Sequence, residues 1–248
     1  MKLNNFKEAE IAFRKAIKLN PNVSEIYYNL GIVLYTQNNV TDAINSYKKA
    51  LQINPKYSEC YNSIGLIFFD KSNFKEAQVF FNTAITLNPK FALAHYNLGN
   101  CLKKLGHFKK AKLSFYKAIK FKKNFIEAYN NLGNTFNELG EIEKSIIIFI
   151  KAINQIPEYR QAWDNLYFSL EALRFLENDK KVIDIIKRKI EKKNVWYHIL
   201  NYKLKIDKDK PENFQKKIIN RLKRLKKPNI INLNYKKKEC KSLDNIIA

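Results

Sequence analysis

An interval of 34 residues constrains this chain more than any other feature. An aromatic ring is followed three and four places later by Leu-Gly or Ile-Gly at Tyr27, Tyr61, His95 and Tyr129, with glycines at Gly31, Gly65, Gly99 and Gly133. Self-similarity at such a period marks stacked supersecondary units, none of which can bury its apolar faces alone. Four full units follow in phase, 24–57, 58–91, 92–125 and 126–159.

Each unit carries two helical patterns. The first surrounds the aromatic-x-x-Leu-Gly motif and ends in a short polar turn such as Gln37-Asn38-Asn39 or Gly140-Glu141. The second places a bulky residue, a small one, an aromatic and an alanine on one face, as in Phe74/Ala77/Phe81/Ala84 and Phe108/Ala111/Phe115/Ala118. Spacings of three and four residues put such side chains on one side of an α-helix. Pro55, Pro89 and Pro157 follow the second helices, which suits a residue that disfavours helix just before it; Lys123 stands at that place in the third unit. A glycine inside a helix costs up to about 1 kcal/mol relative to alanine, so four at one phase imply a close approach by another helix. The small residues Ala43, Ala77, Ala111 and Ser145 are the expected matching hollow, with Tyr and Phe filling the space between helices.

The motif aromatic-x-x-Leu-Gly, then Ala-x-x-x-Phe/Tyr, then Pro resembles the tetratricopeptide repeat (TPR) over roughly residues 2–159. That resemblance implies an all-α, right-handed superhelical solenoid of antiparallel helix pairs whose usual role is protein–protein binding. Residues 1–23 have the spacing of a second helix alone, a partial repeat. Residues 160–206 read as a degenerate repeat with capping helices, in which Tyr167 replaces the glycine. Residues 207–248 read as a basic helix and tail, with a period-two stretch at Ile231–Tyr235 that suggests a strand. An unfinished pattern there raises the alternative that the chain is a fragment of something longer.

All six glycines occupy repeat positions, which leaves none for a phosphate cradle, and neither GxxxxGK[ST] nor GxGxxG occurs. HExxH, GxSxG and a Cys/His pair at nucleophile spacing are also missing. Cys60, Cys101 and Cys240 are far apart in sequence and read as reduced thiols. No catalytic residue, metal ligand or cofactor is expected. The first residues show no apolar signal core, and no apolar run approaches the roughly 20 residues of a membrane span, so a cytoplasmic location is the expectation.

First helices line the concave face of such a stack, and helical geometry then nominates a peptide-binding groove. Two places after each aromatic marker stand Asn29, Ser63, Asn97, Asn131 and Asn165, and Asn100, Asn130 and Asn134 widen the row. One place after it stand Tyr28, Asn62, Tyr96, Asn130 and Asp164. Carboxamides both donate and accept, so a row of them could pair with the amides of an extended peptide without reading its side chains. The row resembles the asparagine ladder in the TPR arm of O-linked N-acetylglucosamine transferases, which implies, as an alternative to a free-standing adaptor, a substrate-recruiting arm of a larger enzyme. The basic clamp by which some TPR proteins hold acidic chaperone tails is not met at these positions. Tyr28, Ile32, Tyr35, Leu66 and Phe69 make the first half of the groove aromatic and apolar, whereas Lys103 and Lys104 give way to Asn137 and Glu138.

The formal charge of +23 suggests an acidic partner, or else a compositional bias towards Lys, Asn and Ile. Its densest helix carries Lys216, Lys217, Arg221, Lys223 and Arg224, which could hold nucleic acid or an acidic membrane surface; without interleaved aromatics, base stacking is not supported.

Overall fold

Ten α-helices and no strand make up the residues described by a computed structural model, 2–156 and 158–176. They run α1 Lys2–Leu19, α2 Ser24–Thr36, α3 Val40–Ile53, α4 Ser58–Asp70, α5 Phe74–Leu87, α6 Ala92–Lys104, α7 Phe108–Phe121, α8 Ile126–Glu138, α9 Ile142–Gln155 and α10 Arg160–Leu176. All belong to one unit, Met1–Lys189; the expected capping helix, basic helix and strand lie outside the described residues. None of the described helices is long and apolar enough to cross a membrane.

The order is a helical-repeat array. Each hairpin packs on itself (α2 on α3, α4 on α5, α6 on α7, α8 on α9) and then against the next first helix. The fixed period extends to backbone detail. Every hairpin turn has one residue in the left-handed region: Asn38 at φ 64°, Ser72 at 59°, Gly106 at 75° and Gly140 at 70°. The residue after it donates its N–H five places back, as Asn39 does to Leu34 O at 2.8 Å and His107 to Leu102 O at 2.8 Å. This satisfies carbonyls that the first helix would otherwise leave open and stops that helix at the same place each time.

Second helices also end in register, including α7, where no proline follows. The residues after α3, α5, α7 and α9 (Asn54, Asn88, Lys122 and Ile156) have left the helical region, and each still donates its N–H four residues back. Asn54 and Asn88 then accept from the N–H two residues on. In the third unit Lys122 instead lays its ammonium 4.6 Å from the centre of the Phe125 ring. Proline does not set the boundary there.

The mid-helix glycines mark close approaches, but their partners differ from the expectation. An aromatic ring of the second helix lies on each glycine, not the small residue: a Cβ at Gly31, Gly65, Gly99 or Gly133 would meet Tyr47, Phe81, Phe115 or Phe149 at 2.4–2.7 Å. Ala43, Ala77, Ala111 and Ser145 are fully buried. The rings are themselves essentially inaccessible, at 0–2 % exposure, and burying each contributes roughly 1.5–3 kcal/mol. One core cluster spans several hairpins, joining Phe81, Phe115, Leu132 and Phe136, and a second joins Leu30, Leu34 and Tyr47 to Cys60, Ile64 and Ile67.

Candidate functional site

First helices form one face of the array, with α4 against α6, α6 against α8 and α8 against α10. Along it, the residue two places after each aromatic marker reaches back 35 positions to the residue one place after the previous marker. Ser63 Oγ donates to Tyr28 Oη at 3.5 Å, Asn97 Nδ2 to Asn62 Oδ1 at 2.9 Å, Asn131 Nδ2 to Tyr96 Oη at 3.2 Å and Asn165 Nδ2 to Asn130 Oδ1 at 2.9 Å. The row anticipated from the sequence exists, and it binds the repeats to one another.

Burial decides what is left for a ligand. Asn62, Asn97 and Asn130 are 3–5 % exposed and paired inside the stack, so they are corrected from groove-lining donors to ties between repeats. The physical reason is their height on the helix. A side chain that leans towards the neighbouring first helix finds a carboxamide at hydrogen-bond distance and satisfies itself there, since an unpaired buried amide is costly. Asn29 is exposed, while Tyr28, Ser63, Tyr96, Asn100, Asn131, Asn134 and Asn165 are half-buried. The basic set Lys216, Lys217, Arg221, Lys223 and Arg224 lies outside the described residues.

Two of the half-buried carboxamides, Asn100 and Asn131, open onto one hollow. Phe69 of α4, Asn100, Lys103 and Lys104 of α6, Phe108 of α7, and Asn131 and Glu138 of α8 line a hollow of about 410 Å³. Asn131 spends its amino group on Tyr96 and on Asn100 Oδ1 at 2.8 Å. Its own Oδ1 and the amino group of Asn100 take no partner among the described residues. One acceptor and one donor, side by side, complement a single peptide unit. The two rings supply apolar walls, Phe69 being held edge-on against Phe74 at 5.3 Å. Burial pushes the Lys103 ammonium below its ordinary value, with Glu138 working the other way. Phe108 was read from the sequence only as a packing residue; its position directly after the turn that follows Lys103 and Lys104 is the signal that could have placed it here.

Upstream on the same face the groups are more apolar. Ile32 is 38 % exposed, and Tyr35 hydrogen-bonds Asp70 across the first two repeats. Burial and the Asp70 carboxylate push the Tyr35 phenol up to about 12, so it stays neutral and donates. At the far end of the described array Ser169 links α8 and α9, bonding Asn137 at 2.9 Å and Ser145 at 3.1 Å.

Cys60 and Cys101 are buried and donate to the carbonyls of Tyr47 and Phe74. Desolvation pushes their thiols up to about 12 and about 11, which keeps them protonated and poor nucleophiles. No group of His, Cys, Asp and Glu among the described residues could hold a metal ion.

Models of the tetratricopeptide repeat match residues 24–57 and 92–125 and, separately, 126–159; a further TPR-repeat model matches 1–38 and 65–106. Among proteins of curated function nothing matches the chain. Among solved structures, the crystal structure of MamA is 29 % identical, aligns with 62 % of this chain and 90 % of its own, and superposes at a TM-score of 0.55. That of YrrB, described as a TPR protein with an unusual peptide-binding site, is 25 % identical over 77 % of this chain and 97 % of its own, at 0.59. PilW, a widely conserved type IV pilus biogenesis factor, reaches 0.64 at 18 % identity over 86 % and 89 % of the two chains, a likeness of fold alone.

Proposed function

Because the chain belongs to the tetratricopeptide-repeat family, whose models together cover more than half of its 248 residues, we propose that it is a non-enzymatic scaffold holding an extended peptide segment of a partner protein against its first helices. The observation that carries this reading is the hollow between Phe69, Asn100, Lys103, Phe108 and Asn131. It offers one amide-sized donor–acceptor pair between two aromatic walls, beside the exposed and half-buried apolar groups of the first two repeats. Peptide binding by YrrB, at 25 % identity, supports the same use of the fold.

Recognition differs from a continuous asparagine ladder. Main-chain pairing is concentrated at Asn100 and Asn131, and side chains of the ligand supply the remainder through Phe69, Phe108 and Ile32. The alternative of a recruiting arm for a larger glycosyltransferase drew its motive from the resemblance of the carboxamide row and from the unfinished pattern of the last residues. The pairing of Asn62, Asn97 and Asn130 within the stack weakens the first of these motives.

A photo-crosslinking amino acid in place of Phe69 tests the reading, with Val79, 63 % exposed on α5, as the control position. Partner protein crosslinks from position 69 and not from position 79. Crosslinks confined to position 79 would move binding off the first-helix face and end the proposal.

A further inference from the structure

Charge is spread unevenly over the four full repeats. The third, residues 92–125, contains nine lysines and neither Asp nor Glu. The second, 58–91, balances three lysines with three acidic residues, and the fourth, 126–159, sets two lysines against five acids. The excess is therefore a band one repeat wide. Part of it faces the hollow: Lys103 is half-buried there and Lys104 is exposed at its rim. Lys109 and Lys110 continue the band over the turn between α6 and α7, both exposed. Lys112 is already committed, at 2.9 Å from Glu141.

We propose that the bound segment is acidic and crosses the array at the third repeat, setting a carboxylate beside Lys103 and Lys104 and following Lys109 and Lys110 over the α6–α7 turn. The proposal rests on the groove reading and specifies the ligand's chemistry. Charge complementarity selects the acid. Lys103 has lost part of its hydration between the ring walls, so an incoming carboxylate recovers interaction energy that water no longer supplies. Glu138, in the same hollow, offsets only one ammonium. Shape selects a peptide over a nucleic acid. A phosphodiester strand lying along the first helices would leave the basic band within one repeat and meet Glu138. Affinity for nucleic acid grows with each phosphate neutralised, and a band this narrow reaches few of them.

The test uses the full chain and a fluorescein-labelled peptide carrying Glu-Leu-Glu between Gly-Ser flanks, with a Gln-Leu-Gln counterpart and unlabelled oligothymidylate. The acidic peptide should bind about tenfold more tightly than its glutamine counterpart at low salt, the scale of one charge-assisted pair. Lys103→Gln with Lys104→Gln should erase that difference. Lys109→Gln with Lys110→Gln, both on exposed positions that leave folding alone, should reduce it about threefold. Lys216→Gln with Lys217→Gln should leave it unchanged, which separates the band from the basic C-terminal region. A preference for glutamate insensitive to both the Lys103/Lys104 and the Lys109/Lys110 pairs overturns the proposal. Displacement by oligothymidylate at lower concentration than by unlabelled acidic peptide overturns it in favour of nucleic acid. Equal binding of the two peptides, with both still crosslinking at position 69, overturns the acidic preference and leaves the groove reading standing. Loss of the position-69 crosslink for both peptides breaks the groove reading itself.

Discussion

The seam between the first and second full repeats and the seam between the second and third follow one pattern and close differently. In the first, Ser63 reaches the Tyr28 hydroxyl at 3.5 Å, the limit of a hydrogen bond, and α3 packs less closely on α4 than α5 does on α6. In the second, Asn97 and Asn62 pair at 2.9 Å with both carboxamides buried. The first seam is tied again by Tyr35 and Asp70, so the contrast between the seams lies at the position two places after the marker. The looser seam lies among the apolar groups of the face, and the tighter ones flank the polar hollow.

That comparison presumes that seams act on hairpins already packed inside. Phe81→Ala, which removes the ring lying on Gly65, should cost roughly 3–5 kcal/mol in urea-induced unfolding, more than any seam substitution. A smaller loss than that of Asn97→Ala would invert the hierarchy. Asn97→Ala should itself cost about 1–3 kcal/mol, because it strands the buried Asn62 oxygen, whereas Ser63→Ala should cost at most about 0.5 kcal/mol. Equal losses would erase the contrast between the seams.

Acid should single out the second seam. His95 stacks on Phe121 at 5.5 Å and donates from Nε2 to Pro89 O at 2.9 Å, where the first two units have Tyr27 and Tyr61. Burial pushes its pKa down, aided by Lys117 and opposed by the Pro89 bond. The folded state thus binds fewer protons at His95 than the unfolded chain does. Its contribution is fully present above the unfolded value near 6.5 and is lost as the pH falls below that towards the depressed folded value. Melting temperature should drop between pH 7 and pH 5, and His95→Tyr should flatten that part of the profile. An unchanged slope in the variant would assign the acid sensitivity elsewhere.

Two smaller effects sharpen the picture. Ser72 occupies the left-handed turn position that Gly106 and Gly140 take without strain, so Ser72→Gly should stabilise by about 1 kcal/mol in thermal unfolding. Ser63→Asn should bring the first seam up to the third, where Asn131 meets Tyr96, by about 0.5–1 kcal/mol. A loss in place of that gain would show that the wider spacing at the first seam is fixed by the backbone.

The period, the helix pairs and the turns were legible from spacing alone, since a mid-helix glycine at one phase admits little besides a tight helical contact. The ring over each glycine was not. Small residues are equally compatible with a hollow or with the far side of a helix, and only the crossing of the two helices separates them. The fate of the carboxamides was hidden for a related reason. Pairing over 35 positions depends on the step from one hairpin to the next, which periodicity counts but does not measure. Asn97 looks outward on a helical wheel and inward once α4 lies beside it.

Asparagine two places after the marker in the third, fourth and fifth units meets either partner, the Tyr96 hydroxyl or the carboxamides of Asn62 and Asn130. Excising residues 58–91 would therefore bring Asn97 opposite Tyr28, and excising 92–125 would bring Asn131 opposite Asn62, both pairings that the molecule already makes. Its joints work like interchangeable couplings: lineages could lengthen or shorten such an array by whole modules without redesigning the ends they rejoin.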